Sequence, residues 1–198
     1  MAYRKITWGN LNDNFGITAQ RKKIFYETPN IQPSAWLIQA IERGLQSPLM
    51  SEKARSESLV YPILTDLLEL NKDTITLYSG AELNADKKNG LNGECDFLLG
   101  QVPHAVNLDA PLFTAVEAKK ADIDLGLAQC AAQMLGIRIF NQKKQKPTPT
   151  VYGCVTTGND WQFLLLQDKV VWVDTDLYYL GELPKLLGIL QTIVDKAK

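Results

Sequence analysis

The chain has 198 residues, a formal net charge of −1 and an apolar content of 45 %. These values are typical of one folded globular domain and exclude an intrinsically disordered chain. No apolar run approaches the roughly 20 residues that a membrane span requires, and the polar N-terminus predicts no signal peptide. Cys95, Cys130 and Cys154 lack metal-type spacing, so we expect reduced core cysteines and a cytoplasmic protein.

The first half of the chain predicts helices. The first thirty residues show no hydrophobic period, because asparagines and a glycine interrupt it. Ser34 is a candidate N-cap for the helix that follows. A second helix is predicted from Ser51 to about Asn71, with apolar residues at the helical period. Pro62 lies inside that pattern and is expected to bend the helix or to begin its second half.

Strand patterns begin after residue 74. Strands are predicted over residues 75–83, 94–99, a run ending at 119, 151–156, 161–166 and 170–173. Polar turn residues at 86–90 predict a hairpin between the first two strands, and helices are predicted over 122–141 and 183–194. This order predicts an α/β fold, a mixed β-sheet flanked by helices, with a right-handed parallel crossover from Glu117 to Val151.

Two of the predicted strands carry charged residues inside apolar runs: Asp96 in one, Glu117 and Lys119 in the other. Burying an unpaired charge is costly, so these residues require partners or a function. Side chains alternate along a strand, which places Glu117 and Lys119 on one face and Ala118 on the opposite face. If the strand with Asp96 pairs alongside, two carboxylates and one lysine converge, as magnesium-dependent phosphodiester hydrolysis requires.

Each of these residues also has an ordinary structural explanation. Glu117 and Lys119 can form a same-face ion pair while Asp96 caps a turn. Gln129 and Gln133 are four residues apart and share one face of the predicted helix, where they can form a solvated pair. The near-neutral net charge neither supports nor excludes a nucleic-acid partner. The sequence therefore leaves a catalytic and a structural interpretation open at this point.

Three segments follow one another along the chain: Gly-Glu-Cys-Asp-Phe at 93–97, Val-Glu-Ala-Lys at 116–119, and a helix that carries Gln129. In this order they resemble the PD-(D/E)XK nuclease superfamily over about residues 51–166. The chain is most similar to the nuclease domain at the front of type I restriction motor subunits and to small stand-alone bacterial relatives. These share a Thr-Thr-Gly-x-x-Trp-x-Phe-like strand and turn, here residues 156–163. The proline that names the motif is absent, and Cys95 stands in its place.

The resemblance implies a metal site. Asp96 and Glu117 would ligate Mg²⁺, for which Mn²⁺ would substitute, and the backbone carbonyl of Ala118 would add a third oxygen. A glutamate on the preceding helix often completes such a site, and both Glu52 and Glu57 are available. The spacing to the apolar run at 59–64 favours Glu52, although the helix dipole alone also favours a glutamate at a helix start.

The resemblance also implies a reaction. Lys119 would hold or help to activate the attacking water, and Gln129 would reach toward the metal or the DNA backbone. The chain is then expected to be one restriction-endonuclease-like domain over residues 1–198, a magnesium-dependent endonuclease that hydrolyses DNA. It would act alone, as a homodimer, or with partner proteins of a restriction or defence system. The rival interpretation is a catalytically silent module of the same fold that binds nucleic acid or protein.

Overall fold

The computed structural model describes residues 2–197, and the strands within this range form one eight-stranded mixed sheet. The strands are Thr18–Arg21 (β1), Thr76–Glu82 (β2), Glu94–Gly100 (β3), Leu112–Ala118 (β4), Thr150–Thr156 (β5), Asp160–Gln167 (β6), Val170–Val173 (β7) and Tyr178–Tyr179 (β8). Their order is β1-β7-β6-β5-β4-β3-β2, and β8 pairs with the start of β6. The pairs β1–β7 and β4–β5 are parallel, whereas the other described pairs are antiparallel. The predicted mixed α/β fold is confirmed.

Helices cover both faces of the sheet. They are Trp8–Phe15 (α1), Ala35–Leu45 (α2), Glu52–Arg55 (α3), Tyr61–Leu70 (α4), Asp124–Lys143 (α5) and Leu183–Ala197 (α6). Buried residues of α2, α4 and α6 form one apolar cluster, and buried residues of α1 and α5 form a second. In β4, Val116 belongs to the first cluster and Ala115 to the second, as expected for side chains that alternate between the faces. None of the helices within residues 2–197 has the length and hydropathy that a membrane span needs.

The N-terminal region contains regular structure that its sequence does not predict. The side chain of Thr7 accepts a hydrogen bond from the amide of Asn10, whose own side chain binds the Thr7 amide, so the two form a capping box at the start of α1. Gly16 ends this helix in a left-handed conformation with φ 67°. Strand β1 leaves all four of its residues exposed, so no apolar alternation marks it. The asparagines that interrupt the hydrophobic period thus belong to a short capped helix.

The two helices predicted before the sheet are confirmed in position. Ser34 caps α2 by accepting a hydrogen bond from the Leu37 amide at 3.1 Å. Ser51 caps α3 in the same way through the Ala54 amide at 3.0 Å. A π-helical turn, Ser56–Val60, joins α3 to α4, and Pro62 lies in the first turn of α4. The residues before it are helical, so the missing N–H of Pro62 interrupts the backbone hydrogen bonds of a continuous helical segment, directly after its π-helical turn.

The topology brings several chain segments together at one end of β4. Strand β3 runs antiparallel to β4, so the beginning of β3 lies beside the end of β4. The chain then passes through α5 and returns as β5, parallel to β4 as predicted. Directly after β4, the amide of Lys119 donates to the carbonyl of Thr156 at 2.7 Å. The charged residues of the two motif strands therefore meet where β4 ends.

Candidate active site

Asp96 lies next to the backbone that follows Glu117. The register pairs Phe97 with Val116, which puts Asp96 and Glu117 at neighbouring positions of the antiparallel pair. Oδ2 of Asp96 accepts a hydrogen bond from the Ala118 amide at 2.7 Å. This contact fixes the carboxylate of Asp96 against the end of β4. The expected convergence of Asp96 and Glu117 is therefore present.

The Glu117 carboxylate is buried and accepts three side-chain hydrogen bonds. Its Oε1 accepts from Nζ of Lys119 at 2.7 Å and from Nε2 of Gln129 at 2.6 Å. Its Oε2 accepts from Nε2 of Gln133 at 2.6 Å. Lys119 also donates to Oε1 of Gln129 at 3.1 Å. The Glu117–Lys119 ion pair of the structural interpretation is thus present, and Gln129 belongs to the same cluster.

Gln133 is the member of this cluster whose role the sequence does not reveal. It is fully buried in α5, so the interpretation of Gln129 and Gln133 as a solvated pair is wrong for Gln133. Their spacing of four residues is the signal that could have indicated a shared partner, because such residues lie on one helix face. The partner they share is Glu117.

Burial makes both carboxyl groups of the cluster harder to ionise. Desolvation, together with the negative charge of Asp96, raises the pKa of Glu117 to about 7, although the charge and hydrogen bond of Lys119 oppose the shift. Desolvation also raises the pKa of Asp96, and the charges of Glu52 and Glu94 add to this effect. Hydrogen bonding from the Ala118 amide opposes it. A cation at this position would favour the ionised form of both carboxyl groups.

Asp96 and Ala118 open onto a cleft of about 770 Å³ between the α3–α4 region and strands β2 and β3. The charged residues that line this cleft are Glu52, Lys53, Glu57, Glu94, Asp96 and Lys120. Carboxylates thus outnumber lysines among the lining residues, which gives the cleft a negative character. A phosphate group would be repelled there unless a cation offsets the negative charge.

The two candidate glutamates for completing a metal site differ in their surroundings. Glu52 is the first residue of α3, and its charge acts on the carboxyl group of Asp96. Glu57 lies in the π-helical turn and forms an exposed ion pair with Lys53 at 3.8 Å. Within residues 2–197, no three acidic, histidine or cysteine side chains lie close enough together to hold a metal ion. Asp96 and Glu52 line the same cleft, whereas the Glu117 carboxylate is buried against Lys119 and α5.

The strand and turn at 156–163 support this end of the sheet. Nη1 of Arg55 in α3 donates to the carbonyl of Thr157 at 3.1 Å. Gly158 adopts φ 86° and lies against Leu59, where an added Cβ would approach the Leu59 side chain to 2.8 Å. Trp161 is fully buried and donates from Nε1 to the Gly158 carbonyl at 3.1 Å. This segment therefore connects α3 and the π-helical turn to the sheet beside Lys119.

The raised pKa of Glu117 predicts how stability depends on pH. Between its ordinary value of 4.5 and about 7, the folded protein binds more protons at this position than the unfolded chain does. Raising the pH through this window should therefore lower the free energy of unfolding, and the loss should level off above about pH 7. Glu117→Gln has no proton to lose, so this part of the slope should disappear. Urea unfolding at several pH values between 4.5 and about 7, without metal, measures this slope.

The exposed residue Glu69 provides the control, because its carboxylate forms a surface ion pair with Lys72 at 3.3 Å. Glu69→Gln should leave the slope of stability against pH close to that of the wild-type protein. Equal slopes for the wild-type protein and Glu117→Gln would contradict the assignment of this titration to Glu117.

No protein-family model matches the chain, and no curated protein matches it. The inference about function therefore rests on the residues of the cluster and the cleft.

Proposed function

We propose that this chain is a metal-dependent nuclease that hydrolyses DNA phosphodiester bonds, with Asp96, Glu117 and Lys119 as its catalytic residues. The observation that carries the proposal is the buried cluster itself. A lysine and two carboxylates meet at the end of β4, and one of the carboxylates opens onto a cleft. Such a cluster is costly for a purely structural site, because buried charges rarely stabilise a fold more than apolar residues would.

The two carboxylates suit Mg²⁺, for which Mn²⁺ would substitute. Magnesium in enzymes is usually held by one or two carboxylates, together with waters and substrate phosphate oxygens. Asp96 and Glu117 would supply the carboxylate oxygens, and the carbonyl of Ala118 and the side chain of Glu52 are the further candidates. When bound, the metal would polarise the phosphoryl oxygen and lower the pKa of an attacking water.

Lys119 and Gln129 would act beside these ligands. The Lys119 ammonium group lies within hydrogen-bonding distance of both Glu117 and Gln129, so its position is fixed before substrate arrives. Its charge would offset the negative charge that develops on the phosphate in the transition state. Gln129 can donate to Glu117 and accept from Lys119 at the same time, and it would thereby keep the lysine aligned.

The cysteines and the sequence resemblance to restriction nucleases support a setting for such a nuclease. Cys95, Cys130 and Cys154 are buried free thiols, which supports a reducing, cytoplasmic location. DNA is the proposed substrate. A homodimer and partner proteins of a restriction or defence system remain predictions.

Metal binding tests the proposal. Titration with Mg²⁺ or Mn²⁺ should raise the melting temperature of the wild-type protein. At a metal concentration 100 times the Kd, the free energy of unfolding should rise by about 2.7 kcal/mol. Asp96→Asn should remove most of this stabilisation, because it removes a carboxylate ligand. The asparagine oxygen can still accept the hydrogen bond from the Ala118 amide, so the local structure should be kept. Glu57→Gln, a change elsewhere in the cleft, should keep it. At least one of three DNA forms, namely plasmid, linear duplex and single-stranded DNA, should be cleaved when it is incubated with the protein in Mn²⁺.

Two results would overturn the nuclease proposal. The first is a wild-type protein that neither gains stability from metal nor cleaves any of the three DNA forms. The second is metal-linked stabilisation of equal size in Asp96→Asn. DNA binding without metal binding or cleavage would instead favour the catalytically silent module.

A further inference from the structure

Tyr61 presents an aromatic ring to the cleft beside Asp96. The residue begins α4 and remains 45 % exposed, and it lines the cleft. Its ring stacks on that of Phe97, with centroids 6.3 Å apart and planes at 27°. Phe97 is 2 % exposed and directly follows Asp96 in β3. The ring of Tyr61 is thus supported from within the core, and it lines the same cleft as the proposed catalytic carboxylate of Asp96.

The same cleft combines this ring with two lysines. Lys120 follows Lys119 at the end of β4, and Lys53 lies in α3. A volume of about 770 Å³ lies within the range of about 300–1,000 Å³ that is usual for sites of small-molecule size. Such a cleft admits a few nucleotides, whereas a duplex would have to remain outside it.

The negative character of the cleft favours a ligand that binds through more than its phosphates. Glu52, Glu57 and Glu94 line it together with Asp96, so positive charge alone cannot provide the affinity for a polynucleotide. Stacking of a base on an aromatic side chain contributes affinity that does not depend on charge. Each of the four bases has an aromatic face that can stack in this way. In a duplex these faces are covered by the neighbouring base pairs, and an enzyme must unstack a base to reach it.

We propose that the cleft binds single-stranded DNA, with one unpaired base stacked on Tyr61 and the adjoining phosphate at Asp96. This proposal rests on the proposed nuclease function and names its substrate: single strands or the single-stranded ends of duplexes. Tyr61 is the residue that discriminates between single-stranded and duplex DNA.

Binding measurements with defined probes test this inference. Fluorescence anisotropy compares a labelled oligothymidine with a labelled blunt hairpin duplex, both in Ca²⁺. Tyr61→Leu should weaken binding of the oligothymidine by about 5- to 150-fold and leave duplex binding within about 2-fold. Tyr61→Phe retains the ring and should bind both probes as the wild-type protein does. Tyr179→Leu is the matched control, since Tyr179 is 46 % exposed but lines a different cavity.

A second measurement avoids any effect of substitution on folding. An oligonucleotide with 5-iodouracil, irradiated on the wild-type protein, should crosslink to Tyr61, as mapped by mass spectrometry. The inference is overturned if the crosslink forms elsewhere, or if a folded Tyr61→Leu binds both probes like the wild-type protein. Duplex cleavage that is independent of Tyr61 would overturn it while leaving the nuclease proposal intact. Binding at Tyr61 without cleavage of any DNA would instead refute the nuclease proposal alone.

Discussion

Lys119→Ala is expected to slow DNA cleavage by about 10²- to 10³-fold, the cost of removing one preorganised electrostatic group from a transition state. The ammonium group of Lys119 is mostly buried and lies 2.7 Å from Glu117, so surrounding water cannot replace its charge. Cleavage of single-stranded DNA in Mn²⁺ measures the rate. Lys120→Ala is the matched control, because Lys120 is the adjacent lysine and itself lines the cleft. Its effect should be much smaller, because it is Lys119 that bonds Glu117 and Gln129.

The lysine substitution also acts on Glu117, and pH separates the two effects. Removing the charge of Lys119 should raise the pKa of Glu117 further, because that charge opposes the rise caused by burial. If cleavage were lost only because Glu117 stays protonated, raising the pH would restore it in Lys119→Ala. Cleavage that stays low at high pH would show that the ammonium group itself is needed. Undiminished cleavage in Lys119→Ala would contradict the assignment.

The elements that could be predicted from sequence are those whose burial leaves a periodic pattern. Strands β3 to β7 and helix α5 bury one or both faces, so their apolar residues recur at the expected spacing. Strand β1 is fully exposed and is held by pairing with β7, and backbone pairing leaves no trace in side-chain chemistry. Helix α1 is only 8 residues long and buries Leu11 alone among its residues, which is too little for a periodic signal.

The candidate site was predictable to the extent that charge stands out in apolar strands. Asp96, Glu117 and Lys119 interrupt β3 and the end of β4, and strand pairing alone brings them together. The contacts from α5 depend instead on how that helix is rotated against the sheet. Its sequence places Gln129 and Gln133 on one face, but whether that face meets solvent or Glu117 is decided by packing. The position of Glu52 relative to the cluster depends on how α3 packs against the sheet. The spacing of residues along the chain does not determine that packing.

Gln133→Met is expected to weaken Mn²⁺ binding by about 10- to 100-fold, the usual effect of removing a residue that orients a metal ligand. Gln133 donates to Oε2 of Glu117, while Lys119 and Gln129 bind Oε1. Its own Oε1 is among the buried polar atoms without a hydrogen-bond partner. A buried amide with an unpaired oxygen lowers the stability of the fold. The hydrogen bond from Gln133 to Glu117 is the interaction that offsets this cost. Isothermal titration calorimetry measures the affinity.

Gln162→Met separates this orienting role from a general loss of packing. Gln162 is also a buried glutamine, 5 % exposed, but its Nε2 donates to the backbone carbonyls of Asp174 and Asp176. Removing those bonds should lower the free energy of unfolding by about 1–3 kcal/mol without changing the affinity for Mn²⁺. If Gln133→Met binds Mn²⁺ like the wild-type protein, or if Gln162→Met loses affinity equally, then Gln133 does not orient Glu117. A loss confined to Gln133→Met means that the contact from α5 determines how Glu117 meets the metal.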